Sequence, residues 1–308
     1  MLAVGLLVAG AGLLYLGAEA AIRGAVGIAR AAGIPAFALG ALLFGIDAES
    51  LGTALVAAGR GQTSIAAGEI FGTVLFLFSA AFGIALLLAR KPVESPEPAM
   101  VLAPALALVV TGLVLYDLFV GRLEGLALIA LYAAYVWLVV REGRLARARA
   151  EEVEREATGT RRRSLLIGMA VLGLALLYLG ATLLLDGARR VLEGTTLQAG
   201  FVGAAIVGVL ASLDEVLLEV IPIRRGTPEL ATGNLFGTLA AFCSGVLGLA
   251  ALVRPLALDG AAALAFLGVA AVYAVVATAF LWRGRAWRGV GVVVLVMYAV
   301  WLMGTASI

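Results

Sequence analysis

Apolar residues run along this chain in blocks of about 20, with short polar stretches between them. A block of that length crosses the hydrocarbon of a bilayer as one α-helix. The pattern predicts ten spans, at roughly 2–22, 34–58, 65–89, 99–120, 123–141, 164–185, 197–222, 228–252, 257–281 and 288–306. The expected fold class is all-α, a polytopic membrane protein with ten transmembrane helices. The opening MLAVGLLVAGAGLLYLGAEAAIRG has no basic stretch ahead of its apolar run and no cleavage site, so it reads as a first span rather than a removed signal. The clearest breaks are RKPVESPEP (90–98) and REGRLARARAEEVEREATGTRRR (141–163), the second a hydrophilic linker that suits a surface helix.

The chain contains itself twice. GLLYLGA (12–18) returns as ALLYLGA (175–181). More tellingly, ESLGTALVAAGRGQTSIAAGEIFGT (49–73) aligns without gaps on DEVLLEVIPIRRGTPELATGNLFGT (214–238), at an offset of 165 residues. Gly61, Gly68 and Gly72 meet Gly226, Gly233 and Gly237, and Phe71 and Thr73 meet Phe236 and Thr238. Two greasy helices match leucines by chance, but rarely glycines, a Phe and a Thr in register. The division is residues 1–141 as a first five-helix repeat, 142–163 as the linker and 164–308 as a second five-helix repeat. Five is odd, so the second copy enters the membrane with inverted polarity, an arrangement typical of secondary transporters with a midplane site between the repeats.

Composition agrees with this reading. The chain is 63% hydrophobic and 14% charged, against about 25% charged for a soluble domain. Its lone Cys243 allows no internal disulfide, and the absence of histidine excludes a histidine-bound zinc or haem. The loops on one side of the ten-span pattern hold 17 of the 22 basic residues. The positive-inside rule puts that side, including the linker, in the cytoplasm, with both termini outside. Trp137, Trp282, Trp287 and Trp301 lie close to span ends and read as interface anchors.

Against this background LFGIDAES (43–50) stands out, because it sets Asp47 and Glu49 inside an apolar run. An unpaired charge in hydrocarbon is costly, so ionisable groups at that depth point to function. The first repeat offers Asp47, Glu49, Ser50, Thr53, Glu69 and Thr73; the second offers Ser212, Asp214, Glu215, Glu219, Asn234 and Thr238. On a regular helix Asp47 and Glu49 point about 200° apart, so both reach one point only if the backbone unwinds, which Gly40 and Gly45 permit. These spans contain no Lys or Arg to neutralise the acids; Arg224 and Arg225 lie at a span end, where they are placed to neutralise Glu219. Clustered carboxylates without basic partners must be protonated, hydrated or bound to cations. An oxygen-only set suits hard cations: Ca²⁺, Mg²⁺, Na⁺ or a proton. The ordinary readings are that Asn234 and Ser212 knit helices together, that Ser50, Thr73 and Thr238 bond back to their own helices, and that the glycines of AAGEIFGT and ATGNLFGT bring helices close.

These segments resemble the cation/calcium exchanger superfamily, especially its prokaryotic sodium/calcium exchanger type. That family carries G-T-S-x-P-E and G-N-x-x-G-S-N in each half. LASLDE (210–215) sits on the first motif, with Ser212 on its serine and Glu215 on the metal-binding glutamate; GNLFGTL (233–239) sits on the second, with Asn234 on the ligand asparagine and Thr238 on the serine. In the first half GIDAES (45–50) puts Asp47, Glu49 and Ser50 on the serine, proline and glutamate positions, and GEIFGTV (68–74) puts Glu69 on the asparagine and Thr73 on the serine. Both motif prolines are missing, and Asp214 stands where one of them would be.

The resemblance implies a secondary active cation antiporter of a bacterial or archaeal plasma (inner) membrane. It would exchange Ca²⁺ or another divalent cation for Na⁺ or H⁺. Its expected ligands are Glu69, Glu215, Asn234, Ser212, Ser50, Glu49, Asp47, Asp214, Thr73 and Thr238. The expected partners are inorganic cations and the lipid bilayer; no cofactor and no nucleic acid is expected. A cation channel or leak pathway, or a non-transporting scaffold or sensor with the exchanger fold, are the alternatives. An enzyme is not expected, because no phosphate loop, G-x-S-x-G elbow or intramembrane His-Glu motif occurs.

Overall fold

The computed structural model of the chain describes residues 2–32, 34–150, 160–192 and 212–305. Among these residues eight helical stretches are long and apolar enough to cross a membrane, and Arg288–Gly304 is a shorter apolar helix. The expected span 197–222 lies largely outside the described residues; only its later part is seen. The same is true of the middle of the linker.

The order of elements follows the hydropathy pattern. Helix α1 is Leu2–Ala32. The next span is divided: α2 (Ala36–Leu39) runs into a π-helical turn, Gly40–Phe44, and after a break α3 begins at Ala48 and ends at Gly59. Helix α4 (Thr63–Phe76) passes through a π turn, Leu77–Ala81, into α5 (Phe82–Leu88). Then come α6 (Pro98–Val114), α7 (Arg122–Ala150) and α8 (Thr160–Leu192). Helix α7 carries the apolar fifth span on into the charged linker as one continuous helix. Helix α9 is Leu213–Arg225, and α10 (Pro228–Ala240) passes through a π turn, Ala241–Val246, into α11 (Leu247–Val253). Helices α12 (Gly260–Arg283) and α13 (Arg288–Thr305) complete the described chain.

The two internal π turns lie one repeat offset apart and are handled alike. A π turn adds a residue to the helix and loosens its hydrogen-bond ladder. In the first, Ser79 donates its hydroxyl to the carbonyl of Leu75; in the second, Ser244 donates to Ala240. All four positions match at the 165-residue offset. Around these turns Phe78, Phe236, Tyr273 and Phe280 interlock edge-to-face or tilted, with ring centroids 5.8–6.3 Å apart. Phe71 and Phe236, matched in the sequence repeat, are both fully buried. This aromatic centre belongs to one large apolar cluster. A second cluster joins α1 and α8 to Phe44, Ile221 and Leu230.

Helices α1 and α8 touch through glycine. A Cβ placed on Gly10, Gly17 or Gly24 would lie 2.5–2.7 Å from the backbone nitrogens of Leu184, Leu177 and Ala170. On the other side, Gly173 and Gly180 approach Ala21 and Leu14 in the same way. Partner numbers fall as helix numbers rise, so the helices run antiparallel. Each presents glycine at every seventh position, two helical turns apart, which lets the backbones meet without side chains between them. The first helices of the two sequence copies therefore have opposite polarity.

Two short ribbons tie the halves together outside the apolar spans. Val93 and Glu94 (β1) pair antiparallel with Arg285 and Ala286 (β4), and Phe119 and Val120 (β2) pair with Leu256 and Ala257 (β3). Beside the second ribbon Asp259 caps α12 by accepting from the Ala262 N–H at 2.9 Å, and it also accepts from the Ser64 hydroxyl at 2.7 Å. Of the tryptophans, Trp282 is 84% exposed at a helix end, whereas Trp301 stacks on Tyr298 against the core. Trp301 is thus a packing residue, not the expected interface anchor, because its face of α13 turns inward.

Gly173→Val places a branched side chain where even a Cβ would stand 2.2 Å from the Ala21 nitrogen. It is expected to destabilise the protein by about 1–3 kcal/mol or more. Gly168→Val, on the same helix with nothing within 4 Å, is expected to leave stability nearly unchanged. Thermal unfolding in detergent compares the pair. A second expectation concerns Asp259, whose bonds to Ser64 and Ala262 hold its carboxyl below the ordinary carboxylate range. A depressed folded value means that its stabilisation is present above the unfolded carboxylate pKa and is lost as pH falls through the folded value. Asp259→Asn should therefore flatten the acid limb of the stability curve and leave its neutral limb parallel to wild type.

Candidate cation site

The site starts from the interruption of the second span. The π turn Gly40–Phe44 ends at Gly45, whose N–H bonds back to the Gly40 carbonyl at 3.0 Å. Asp47 then takes an extended conformation and becomes the N-cap of α3. Its carboxylate accepts from the N–H of Glu49 at 3.1 Å and of Ser50 at 2.9 Å. The expected unwinding is thus present without a proline. Glycine supplies the close approach, since a Cβ on Gly45 would lie 2.4 Å from the Ala41 carbonyl, and aspartate supplies the cap. In the second copy, α9 begins at Leu213 with Ser212 at its N-cap position. Asp47 and Ser212 are one repeat offset apart. Both helices thus start at matching points, with acids in their first turns, where the unbonded N–H groups favour negative charge.

Between these helix starts lies a cavity of about 210 Å³. Asp47 and Glu49 reach it from the first half, and Asp214, Glu215, Asn234 and Thr238 from the second. Leu77 of the π turn and Tyr178 of α8 complete its wall. Among the described residues no basic side chain lines it. The charged neighbours acting on Glu215 are Asp214, Asp47, Glu219 and Glu69, all acidic. The cavity sits at the seam between the two apolar clusters: Phe44 and Leu177 belong to one, and Leu77 to the other.

The other sequence-predicted groups stand behind this wall. Glu69 lies beside Ser50, and the Thr73 hydroxyl donates to the Ser50 hydroxyl at 3.2 Å. Glu69, Ser50 and Thr73 therefore form a chain that meets the cavity through the first turn of α3 and do not line it. Among the described residues no three Asp, Glu or Cys side chains are gathered closely enough to hold a metal ion. What the cavity offers is carboxylates from both halves together with amide and hydroxyl oxygens. That set matches a hard cation, for which Ca²⁺ takes about six to eight oxygen ligands.

Glu219 departs from expectation. It is wholly buried and pairs with no arginine among the described residues. Its Oε1 accepts from Asn234 Nδ2 at 3.0 Å, and its Oε2 has no partner. Arg225, expected to neutralise it, reaches across to Glu19, which also pairs with Arg23. The physical reason is geometric: Arg225 ends α9 at the surface, while Glu219 lies more than a turn deeper on the inner face. Glu219 thus holds the amide nitrogen of Asn234, a residue that lines the cavity. Sequence reasoning kept Asn234 and left Glu219 aside, although the spacing of Glu215 and Glu219 puts both on one helix face. Tyr178 was passed over too; its place in the repeated ALLYLGA was the available signal.

The glycines of the second copy have one clear role. A Cβ on Gly233 would lie 2.2 Å from the Phe37 carbonyl, and one on Gly237 would lie 2.5 Å from Ala41. They seat α10 against α2 and the π turn that continues it, as close helix contact requires. Gly68 and Gly72 have nothing within 4 Å among the described residues.

Comparison with known proteins places this arrangement. The inner membrane protein YrbG of Escherichia coli (strain K12) is 27% identical, covering 98% of this chain and 96% of its own. The uncharacterized membrane protein MJ0091 of Methanocaldococcus jannaschii is 23% identical over 82% of each. The sodium-calcium exchanger NCX_Mj, in a crystal soaked with zero Na⁺ and Ca²⁺, superposes with a TM-score of 0.83 at 20% identity, covering 98% of both chains. At that identity the likeness establishes the fold. The family of sodium/calcium exchanger proteins matches residues 2–141 and 165–306, so nearly the whole chain conforms, the linker excepted, and the protein belongs to that family.

Proposed function

We propose that the cavity between the starts of α3 and α9 is the transport site of this antiporter, with Ca²⁺ as its divalent substrate and Na⁺ or H⁺ as the counter-ion. Membership of the exchanger family makes the chain a secondary active cation antiporter rather than an enzyme. The observation that carries the site is the gathering of Asp47, Glu49, Asp214 and Glu215 from both halves around one cavity, with no basic residue among the described residues of its wall. Carboxylates so placed are neutralised by a bound cation or by protons. Divalent ion and counter-ion then compete for the same oxygens, which couples their movements.

Glu215 and Asp214 are the central ligands in this reading, with Asn234 and Thr238 adding neutral oxygens and Asp47 and Glu49 closing the set from the other half. Ser212 stands at the N-cap of α9 as a further oxygen. Ser50, Thr73 and Glu69 act one layer behind, through the Ser50 contact. The α1–α8 pair, packed through its own apolar cluster, is the two-helix gate that exposes the site alternately to each side.

The full architecture proposed is ten helices in two inverted five-helix repeats, 1–141 and 164–308, joined by a cytoplasmic linker at 142–163 with both termini outside. The antiparallel α1–α8 pair, the matched π turns and the two cross-half ribbons support it. The location is a bacterial or archaeal inner membrane.

Glu215→Gln is expected to abolish Ca²⁺ flux in proteoliposomes under both imposed Na⁺ and pH gradients. Glu69→Gln is expected to weaken divalent affinity by roughly 10-fold, as loss of a supporting contact does. Wild-type affinity and flux in Glu215→Gln would remove the site. Topology is read separately, by placing single cysteines at Glu142 and near the C-terminus in a Cys243→Ala background. Impermeant reagent added to intact cells should label the second position and not the first; the reverse pattern refutes the orientation.

A further inference from the structure

A second cavity, of about 240 Å³, lies far from the carboxylates, where α5 ends and α13 begins. Arg90, Lys91 and Arg288 line it, together with Trp287 and the buried side chains of Leu86 and Ala89. Among the described residues no acidic side chain lines it. The cations come from chain positions almost 200 residues apart, and the β1–β4 ribbon next to them, Val93 on Ala286 and Glu94 on Arg285, fixes the two segments side by side.

The cavity is built rather than incidental. Arg288 donates from Nη2 to the Ala89 carbonyl at 3.1 Å, which orients its guanidinium and leaves its other N–H groups free to point elsewhere. The Trp287 indole folds back over the start of α13, where a Cβ on Gly289 would lie 2.6 Å from its Nε1. The Arg283 guanidinium lies 5.7 Å from the centre of that indole ring. Below this level α5 and α13 pack closely through glycine, since a Cβ on Gly83 would lie 2.8 Å from the Leu295 side chain and 3.1 Å from the Gly291 carbonyl, and one on Gly291 would lie 2.8 Å from the Gly83 carbonyl. The flanks of the crossing are apolar and outward-facing: Leu88 is 47% exposed on α5, and Val292 and Val296 are 50% and 55% exposed on α13.

We propose that this cavity binds the head group of an anionic phospholipid. Its phosphodiester sits among Arg90, Lys91 and Arg288, and its acyl chains descend along the exposed leucine and valine flanks. Level argues for lipid over free phosphate: the basic residues follow directly on an apolar span that ends at Leu88, which is head-group depth, and an apolar surface continues beneath them. Tryptophan and arginine beside each other at that depth are the usual interface pair. A basic pocket between transmembrane helices is a recognised means of holding anionic head groups. The bound lipid would brace α13 against α5. This site stands independently of the transport reading.

The test uses the full-length protein in a neutral detergent. Thermal unfolding and native mass spectrometry are followed with added phosphatidylglycerol, phosphatidylcholine or inorganic phosphate. Phosphatidylglycerol is expected to raise the midpoint and to be retained on the protein, and the other two are not. Arg90→Gln with Lys91→Gln leaves the Arg288 anchor intact and should weaken phosphatidylglycerol binding roughly 20-fold. Lys91→Gln alone should weaken it roughly fivefold, and serves if the double variant does not fold. Arg60→Gln with Arg122→Gln removes the same charge elsewhere and should leave binding as in wild type. The proposal is overturned if inorganic phosphate matches the lipid, if the Arg90 and Lys91 variants bind like wild type, or if the Arg60 and Arg122 variant loses as much.

Discussion

A helix broken inside hydrocarbon must satisfy its own ends, because no water is there to do it. That constraint shapes the centre of this protein. The second span is broken at Gly45–Asp47, and the freed N–H groups of α3 are taken by the Asp47 carboxylate. The same aspartate lines the cavity. One side chain thus serves two demands: it closes the helix end and adds negative charge to the site. The π turns meet a milder form of the constraint with Ser79 and Ser244, whose hydroxyls return to carbonyls of the preceding turn. Backbone satisfaction at membrane depth is therefore met by short polar side chains beside each irregularity.

Packing divides the molecule along the line where the site lies. The central helices interlock through phenylalanines and Tyr273, which fill volume and fix orientation. The α1–α8 pair is joined by backbone contact at regularly spaced glycines, with little side chain between the helices. A glycine seam offers a close, smooth contact, and an aromatic core offers a keyed one. The cavity opens between the two clusters, so an ion held there touches both bodies. The same contrast accounts for Gly233 and Gly237, which bring α10 against α2 and so place Asn234 and Thr238 beside the broken span.

Much of this was legible in the chain. Span positions follow from block hydropathy, because lipid tolerates only helices of sufficient length. The repeat was legible because three glycines, a phenylalanine and a threonine keep their register; of these, Phe71 and Phe236 are both fully buried, while Gly233 and Gly237 are closely packed and Gly68 and Gly72 are not. Asp47, Glu49, Asp214, Glu215, Asn234 and Thr238 were legible as candidates from depth, charge and motif position, and these six line one cavity. Glu69 stands behind the wall of that cavity, beside Ser50, a placement that no local pattern gives. The pairing of Glu219 with Arg224 or Arg225 was misplaced, since proximity in sequence does not give proximity across a helix end.

The sequence by itself determined that this is a helical membrane protein with a duplicated plan and acids at depth. Those properties depend on local composition and on register along the chain, which need no knowledge of neighbours. Only the tertiary structure decided which oxygens face one another: that Asn234 gives its nitrogen to Glu219, that Ser50 stands between Thr73 and Glu69, and that Arg288 joins Arg90 and Lys91 across most of the chain's length. Those pairings depend on how helices cross, and the crossings are set by glycine contacts and ribbons whose partners no local pattern names.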